Sequence, residues 1–317
     1  DQPALFAAAG SLGGPFRLKP GTMREYVSRM QNRRDFLKTT LAASALALAI
    51  SPGRMPAAPS GDQRLRLITY NVLRCRGYAV TPEAKPFLKA AAAQMPTRLA
   101  LELALYEPDI VTFQEGPSEK VLATIADQMG MHHAFFAGGW PGAVLSRFEI
   151  VEQQNCPLVS WNERPSELFT RHWGRAVLRL PGGKLNLFSA HLHPSNAAVR
   201  AREIAEMLKV MAPYLEQEGS VVLQGDLNHQ PSGPEYSRWR SAGLVDAFDR
   251  VVPDIVPYSF NSHAPTKRID YIWTSQALAR RGGDCRILFE RAFRTNTADP
   301  RSVALSDHLP LMADFSQ

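Results

Sequence analysis

The sequence predicts a single α/β domain, and two observations carry that prediction. Strand-like apolar runs alternate with helix-patterned segments through about 250 residues, and after residue 61 no linker-like gap, repeat or low-complexity tract interrupts them. The chain has 317 residues, 45% of them hydrophobic, which is enough to build a substantial core. Three cysteines, Cys75, Cys156 and Cys285, are too few for a disulfide framework, and no C-x-x-C is present.

The net charge of +6 and pI of 9.3 suggest a nucleic-acid binder until the charge is located. Residues 1–61 hold eight basic and three acidic residues. From totals of 36 and 30, residues 62–317 keep 28 basic and 27 acidic residues, a net of +1. Bulk charge therefore gives no argument for tight duplex binding, although a local basic groove is compatible with it.

The first element is an address. Residues 32–50, "NRRDFLKTTLAASALALAI", join an arginine pair to an apolar run too short to span a bilayer. The pair, followed by Phe36, Leu37 and Lys38, resembles a twin-arginine export signal. Met30 reads as a natural start and cleavage is expected near residues 57–61. Residues 1–61 are thus expected to be an N-terminal extension and signal. The expectation is export through the twin-arginine machinery to the periplasm or outside, with no transmembrane anchor.

The remaining elements follow in order. "LRLITYNV" (65–72) has the β-branched and aromatic content of a strand. "TRLALELALYE" (97–107) has alternating leucines, but its Ala, Leu and Glu favour a helix. "PDIVTFQE" (108–115) reads as a buried strand. "SEKVLATIADQMG" (118–130) reads as a helix from Ser118 to Gly130. "GAVLSRFEIVEQQ" (142–154) and "RAVLRLPGGKLNLFSAHLH" (175–193) read as strands, the second with a Pro-Gly-Gly turn. In residues 196–219, Ile204, Met207, Leu208, Met211 and Leu215 share one helix face, with Arg202, Glu206 and Lys209 opposite. "VVLQGDLNHQP" (221–231), "RIDYIWTS" (268–275) and "LPLMADF" (309–315) complete the strands.

Side chains alternate along a strand, so Asp226 and Asn228 share the parity of Val222 and emerge together where the strand ends. Alone, the pair suits a turn. Asn71, Glu115 and His191 likewise end apolar runs, Asp270 lies in "RIDYI", and Asp307 and His308 open the last strand. If these ends converge, they form a cleft with two histidines and four carboxylates, suited to a hard divalent cation and acid–base chemistry. Arg175 and Arg268 start strands near these motifs and are the candidate phosphate-binding residues. Trp140, Trp161, Trp173 and His172 are expected to be loop or core packing. His193 shares the face of His191.

The ordered series "TYN", "PDIVTFQE", "GAVLSR", "SAHLHP", "GDLN", "RIDYI" and "SDHLP" resembles the endonuclease/exonuclease/phosphatase superfamily, the deoxyribonuclease I-like metal-dependent phosphoesterases, over roughly residues 64–316. The resemblance implies a four-layer α/β/β/α sandwich of two mixed sheets with outer helices. It implies a magnesium ion (manganese or calcium as alternatives) at Glu115, with Asn71 beside it and Asp307 as a further ligand. Asp226 would position or activate water, Asn228 would hold a phosphate oxygen, and Asp270 would pair with His308. His191 is similar to the histidine of deoxyribonuclease I-like and sphingomyelinase-like members. Which of His191, His308 and Asp226 is acid or base stays open. The expected function is a monomeric, exported phosphodiesterase acting on nucleic acid, phospholipid or inositol phosphate. The alternative is a catalytically silent phosphate-binding module.

Overall fold

A computed structural model describes residues 64–159, 165–217, 220–250 and 258–316 of the chain. The segment read as an export signal, the expected boundary at residue 61 and Trp161 lie outside the described residues. Within them, twelve strands form two mixed six-stranded sheets with helices on the outer faces, the α/β/β/α sandwich expected from the sequence.

The first sheet contains β1 (Arg64–Asn71), β2 (Ile110–Gln114), β3 (His132–Phe136), β4 (Gly142–Ser146), β11 (Gly282–Ile287) and β12 (Leu311–Ser316), in the order β11-β12-β1-β2-β4-β3. The second contains β5 (Glu149–Asn155), β6 (His172–Leu180), β7 (Gly183–His191), β8 (Ser220–Asp226), β9 (Val245–Asp246) and β10 (Asp270–Thr274), in the order β5-β6-β7-β8-β10-β9. Helices α1 (Ala84–Ala91), α2 (Met95–Ala104) and α3 (Glu119–Met129) are followed by α4 (Ala197–Glu216), α5 (Pro234–Ser241) and the single turn α6 (Gln276–Ala279).

Three apolar layers hold the sandwich. Ile68, Tyr70, Val111 and Phe113 pack outward from the first sheet against Leu99 and Leu103 of α2 and Leu122 and Ile125 of α3. Leu65, Leu67, Ile110, Leu185, Leu187, Val222 and Ile272 fill the space between the sheets. Phe188, Val221, Leu223 and Trp273 pack outward against Ile204, Met207 and Met211 of α4. Each strand thus alternates between an outer layer and the inner one, as the period of two requires.

Several details differ from the sequence expectation. Residues 142–154 are two strands, one in each sheet. The chain crosses between sheets at Arg147 and Phe148, where Arg147 N–H donates to Asp109 O. Ser118 stands at the head of α3 with no side-chain cap, whereas Gly130 ends the helix at φ +64° as expected. Asn196 does cap α4, accepting from Ala198 and Val199 N–H. Glu206, placed on the polar face, is buried and bonded by Lys209. α1, α5, α6, β3, β9 and β11 were not expected, because their runs are too short or too polar to show a period. No described helix is long and apolar enough to cross a membrane.

Gly225 precedes the key carboxylate of β8. Its φ is +156°, and a Cβ there would lie 1.9 Å from Ala190 O on the neighbouring strand. Gly225→Ala is expected to lower unfolding free energy by about 2–3 kcal/mol in urea titrations. A change below about 0.5 kcal/mol would show that β7 and β8 are not locked this closely.

Candidate active site

The inward positions grade from apolar to polar toward one mouth of the sandwich. Along β1 they run Leu65, Leu67, Thr69, Asn71; along β7, Leu185, Leu187, Ser189, His191; along β8, Val222, Gln224, Asp226. The antiparallel strand β10 reads the same gradient backward, from Asp270 to Ile272. Parity therefore delivers Asn71, His191, Asp226 and Asp270 to one place, and all four are buried.

The residues touch. Asn71 Nδ2 donates to Asp226 Oδ2 at 3.1 Å, across the two sheets, and lies 3.3 Å from Glu115 Oε1. Its Oδ1 accepts from Leu73 N–H, so the amide acts as a donor holding two carboxylates together. His191 Nε2 and His308 Nε2 approach Asp226 Oδ2 at 3.4 and 3.7 Å. Asp270 Oδ2 lies 2.9 Å from His308 Nδ1 and fixes that ring. Glu115 follows β2 with φ +48°, which redirects a side chain that strict alternation would send outward. Asn228, also left-handed at φ +53°, donates from Nδ2 to Leu192 O, and its N–H donates to Asp226 Oδ1. Glu115, His191, Asp226, Asn228, Asp307 and His308 all line one cleft of about 480 Å³.

Burial and neighbouring charge set the protonation states. Burial opposes a charge on His308, but Asp270 and Asp226 together outweigh it and push the imidazole up to about 10. Burial holds His191 well below the usual range, with His172, Arg171 and His308 adding to the effect. Burial pushes Asp226 up to about 7 although His308 opposes it. Burial also raises Glu115. One imidazole is therefore charged and the other neutral, about one carboxylate.

Two groupings have the donor set for a divalent cation. Ligand atoms of Asp226, Asp270 and His308 all lie within 4.8 Å of one another. In that trio, however, Asp270 Oδ2 and His308 Nδ1 are already bonded to each other at 2.9 Å. Glu115 Oε2 and Asp270 Oδ1 are both buried without a hydrogen-bond partner, but of the two only Glu115 lines the cleft, with Asp307 near enough to repel it. A buried carboxylate oxygen with a second carboxylate nearby suits a hard cation.

The structure does not bring Arg175 or Arg268 into the cleft. Arg175 lies on the outer face of β6, donating to Glu152 and Asn186 and stacking over Tyr214. Arg268 is buried in an ion pair with Asp246, between Phe248 and Tyr271. Removing one partner of such a pair costs about 3–5 kcal/mol, so its role is structural. Their place is taken by Arg171 and Lys267, one residue from His172 and Arg268 and unmarked by any strand pattern. His229 and Gln230 also line the cleft, and His229 Nε2 accepts from Trp239 Nε1. His193 instead accepts from Ser195 and Asn196 N–H before α4. Trp173 is core, and His172 is bonded to Trp140 O and Ser189 Oγ.

Residues 68–308 match the model of the Endonuclease/Exonuclease/phosphatase family, and the chain belongs to that family. The site is consistent with phosphoester hydrolysis. An endonuclease/exonuclease/phosphatase family protein from Bacteroides thetaiotaomicron is similar, with 17% identity, 80% of this chain and 98% of that chain covered and a TM-score of 0.59. The mannosyl-6-phosphatase Bt3783 of the same organism shares 18% identity over 78% and 98% of the chains, at 0.58. The 3' phosphatase NExo from Neisseria, bound to a product DNA hairpin, shares 18% identity over 80% and 100%, at 0.55. No curated protein sequence matches the chain.

His308 offers a pH test. Its folded-state value near 10 exceeds the unfolded value of about 6.5, so its contribution is complete below pH 6.5 and is lost as pH rises toward 10. In EDTA, the stability advantage of wild type over His308→Gln should shrink between pH 6.5 and 9.5, by up to about 1.4 kcal/mol per pH unit. A constant difference would contradict the buried imidazolium.

Proposed function

We propose that the protein is an exported, divalent-metal-dependent phosphoester hydrolase. The observation that supports it best is the pairing of a charged imidazole, His308 on Asp270, with a neutral one, His191, about the single oxygen Asp226 Oδ2. Acid–base cleavage of an ester by water needs one group that takes a proton, here Asp226, and another that gives one, here His308.

A magnesium ion held at Glu115, with Asp307 and the Asn71 amide beside it, would neutralise charge on the phosphate oxygens. Asp226 is the better base: its pKa is near neutrality and its carboxylate faces the cleft. The Asn71 and Asn228 bonds hold its two oxygens in place. His308 stays charged across the neutral range and presents Nε2 to the same hollow, where it can hold a phosphate oxygen or protonate the leaving oxygen. Neutral His191 lies against Asp226 and orients it.

A phosphodiester of nucleic acid or phospholipid-headgroup type is the preferred substrate reading, with inositol phosphates as a further phosphoester class. The similar 3' phosphatase and mannosyl-6-phosphatase keep monoesters on the panel. Export rests on the arginine pair and apolar run of residues 32–50.

The test is a panel of plasmid DNA, RNA, sphingomyelin, inositol phosphates and aryl phosphate mono- and diesters, with magnesium or EDTA. At least one substrate is expected to turn over only with metal. Asp226→Asn and His308→Ala should each lower kcat about 10²–10⁴-fold. Turnover unchanged in both variants would reject the site.

A further inference from the structure

Among the described residues Arg171 makes no ion pair, although Glu115 and Glu203 lie near enough to feel its charge. It lines the cleft with Glu115, His191 and Asp226, and its Nε is buried with no hydrogen-bond partner. The other guanidinium of the cleft, Arg200, is neutralised by Glu235 at 2.9 Å. Arg66, Arg175 and Arg268 likewise have carboxylate partners. Among the described residues Arg171 has an aromatic partner instead, lying 5.5 Å from the centre of the Trp140 ring.

That difference matters chemically. A carboxylate consumes the planar fork of N–H donors that makes arginine selective for phosphate. A ring face attracts the cation while leaving those donors free.

Trp140 is itself held. Arg74 lies 4.3 Å from its ring centre and donates from Nη2 to Gly139 O, while His172 Nδ1 contacts Trp140 O at 3.3 Å. Arg74 stands in a run of three left-handed residues, Leu73, Arg74 and Cys75, with φ of 46°, 54° and 55°. Non-glycine residues in this region are strained, and such strain concentrates at functional sites. The run begins two residues after Asn71, so one strained segment sets both the cross-sheet amide and the support for Trp140.

We propose that Arg171 is the anion clamp of the cleft: its guanidinium holds non-bridging oxygens of the substrate's phosphoryl group, and Trp140, backed by Arg74, positions it. The assignment rests on the phosphoester reading but is tested by binding alone. Lys267, exposed at the cleft, supplies a point charge without a fixed geometry.

The experiment is calorimetric titration of inorganic phosphate into the full chain with magnesium present, alongside melting temperatures. Arg171→Gln should raise Kd about 10–100-fold with unchanged melting, and Arg171→Lys should fall between it and wild type. Trp140→Leu should raise Kd about 2–5-fold, and Trp140→Phe should restore most of that. In the Arg171→Gln background, Trp140→Leu should have no further effect, because it acts through Arg171. Wild-type phosphate affinity in folded Arg171→Gln would overturn the clamp. Equal loss from Trp140→Leu in both backgrounds would overturn its positioning. If wild type binds no phosphate yet cleaves esters, the clamp fails and the hydrolase reading stands. If phosphate binds through Arg171 but nothing on the panel is cleaved, the reverse holds.

Discussion

At the open end of the sandwich a hydrogen bond reaches directly from one sheet to the other. Asn71 of β1 reaches Asp226 of β8 at 3.1 Å. Deeper in, leucines, isoleucine and valine fill the gap and hold the layers by burial alone. At the mouth that glue is replaced by carboxylates, an amide and imidazoles, of which Asn71, His191, Asp226, Asp270 and His308 are buried. Burying ionisable groups is costly unless each finds a partner of opposite charge, a hydrogen bond or a metal. The arrangement is therefore unfavourable to folding and useful to chemistry, and the apolar layers beneath must offset it.

The cost is distributed unevenly, and that unevenness is functional. Asp270 spends its negative charge on His308, which stays protonated. Asp226 lies between that imidazolium, a neutral histidine and an amide, and its affinity for a proton approaches that of a base useful at neutral pH. Glu115 keeps one oxygen unsatisfied. Three carboxylates of similar intrinsic acidity thus acquire three different roles from their surroundings.

Much of this could be read from the sequence, because strand parity is a geometric rule. Asn71, His191, Asp226 and Asp270 obey it and were expected to converge. The sandwich followed from the family motifs, since alternation alone indicates α/β but not how many sheets form. The crossing at Arg147 and Phe148 was hidden inside what reads as one continuous strand. Glu115 was placed by its motif, although parity alone sends it to the outer layer; the left-handed turn that redirects it has no glycine to mark it. The arginines were the clear failure. Arg175 and Arg268 lie on strands close to the motifs, but strand parity and ion pairing take them away from the mouth. Arg171 stands just before β6, and only the folded arrangement shows that no carboxylate among the described residues forms an ion pair with it.

The central claim is that strand ends from both sheets make one cation-holding hollow at Glu115. The most direct measurement is an anomalous difference map from crystals soaked in Mn²⁺. The account predicts a peak within about 2.6 Å of Glu115 Oε2, on the cleft side facing Asp226 and Asp307. It further predicts that this peak disappears in Glu115→Gln. A peak bound elsewhere on the surface, with none at Glu115, would contradict the account.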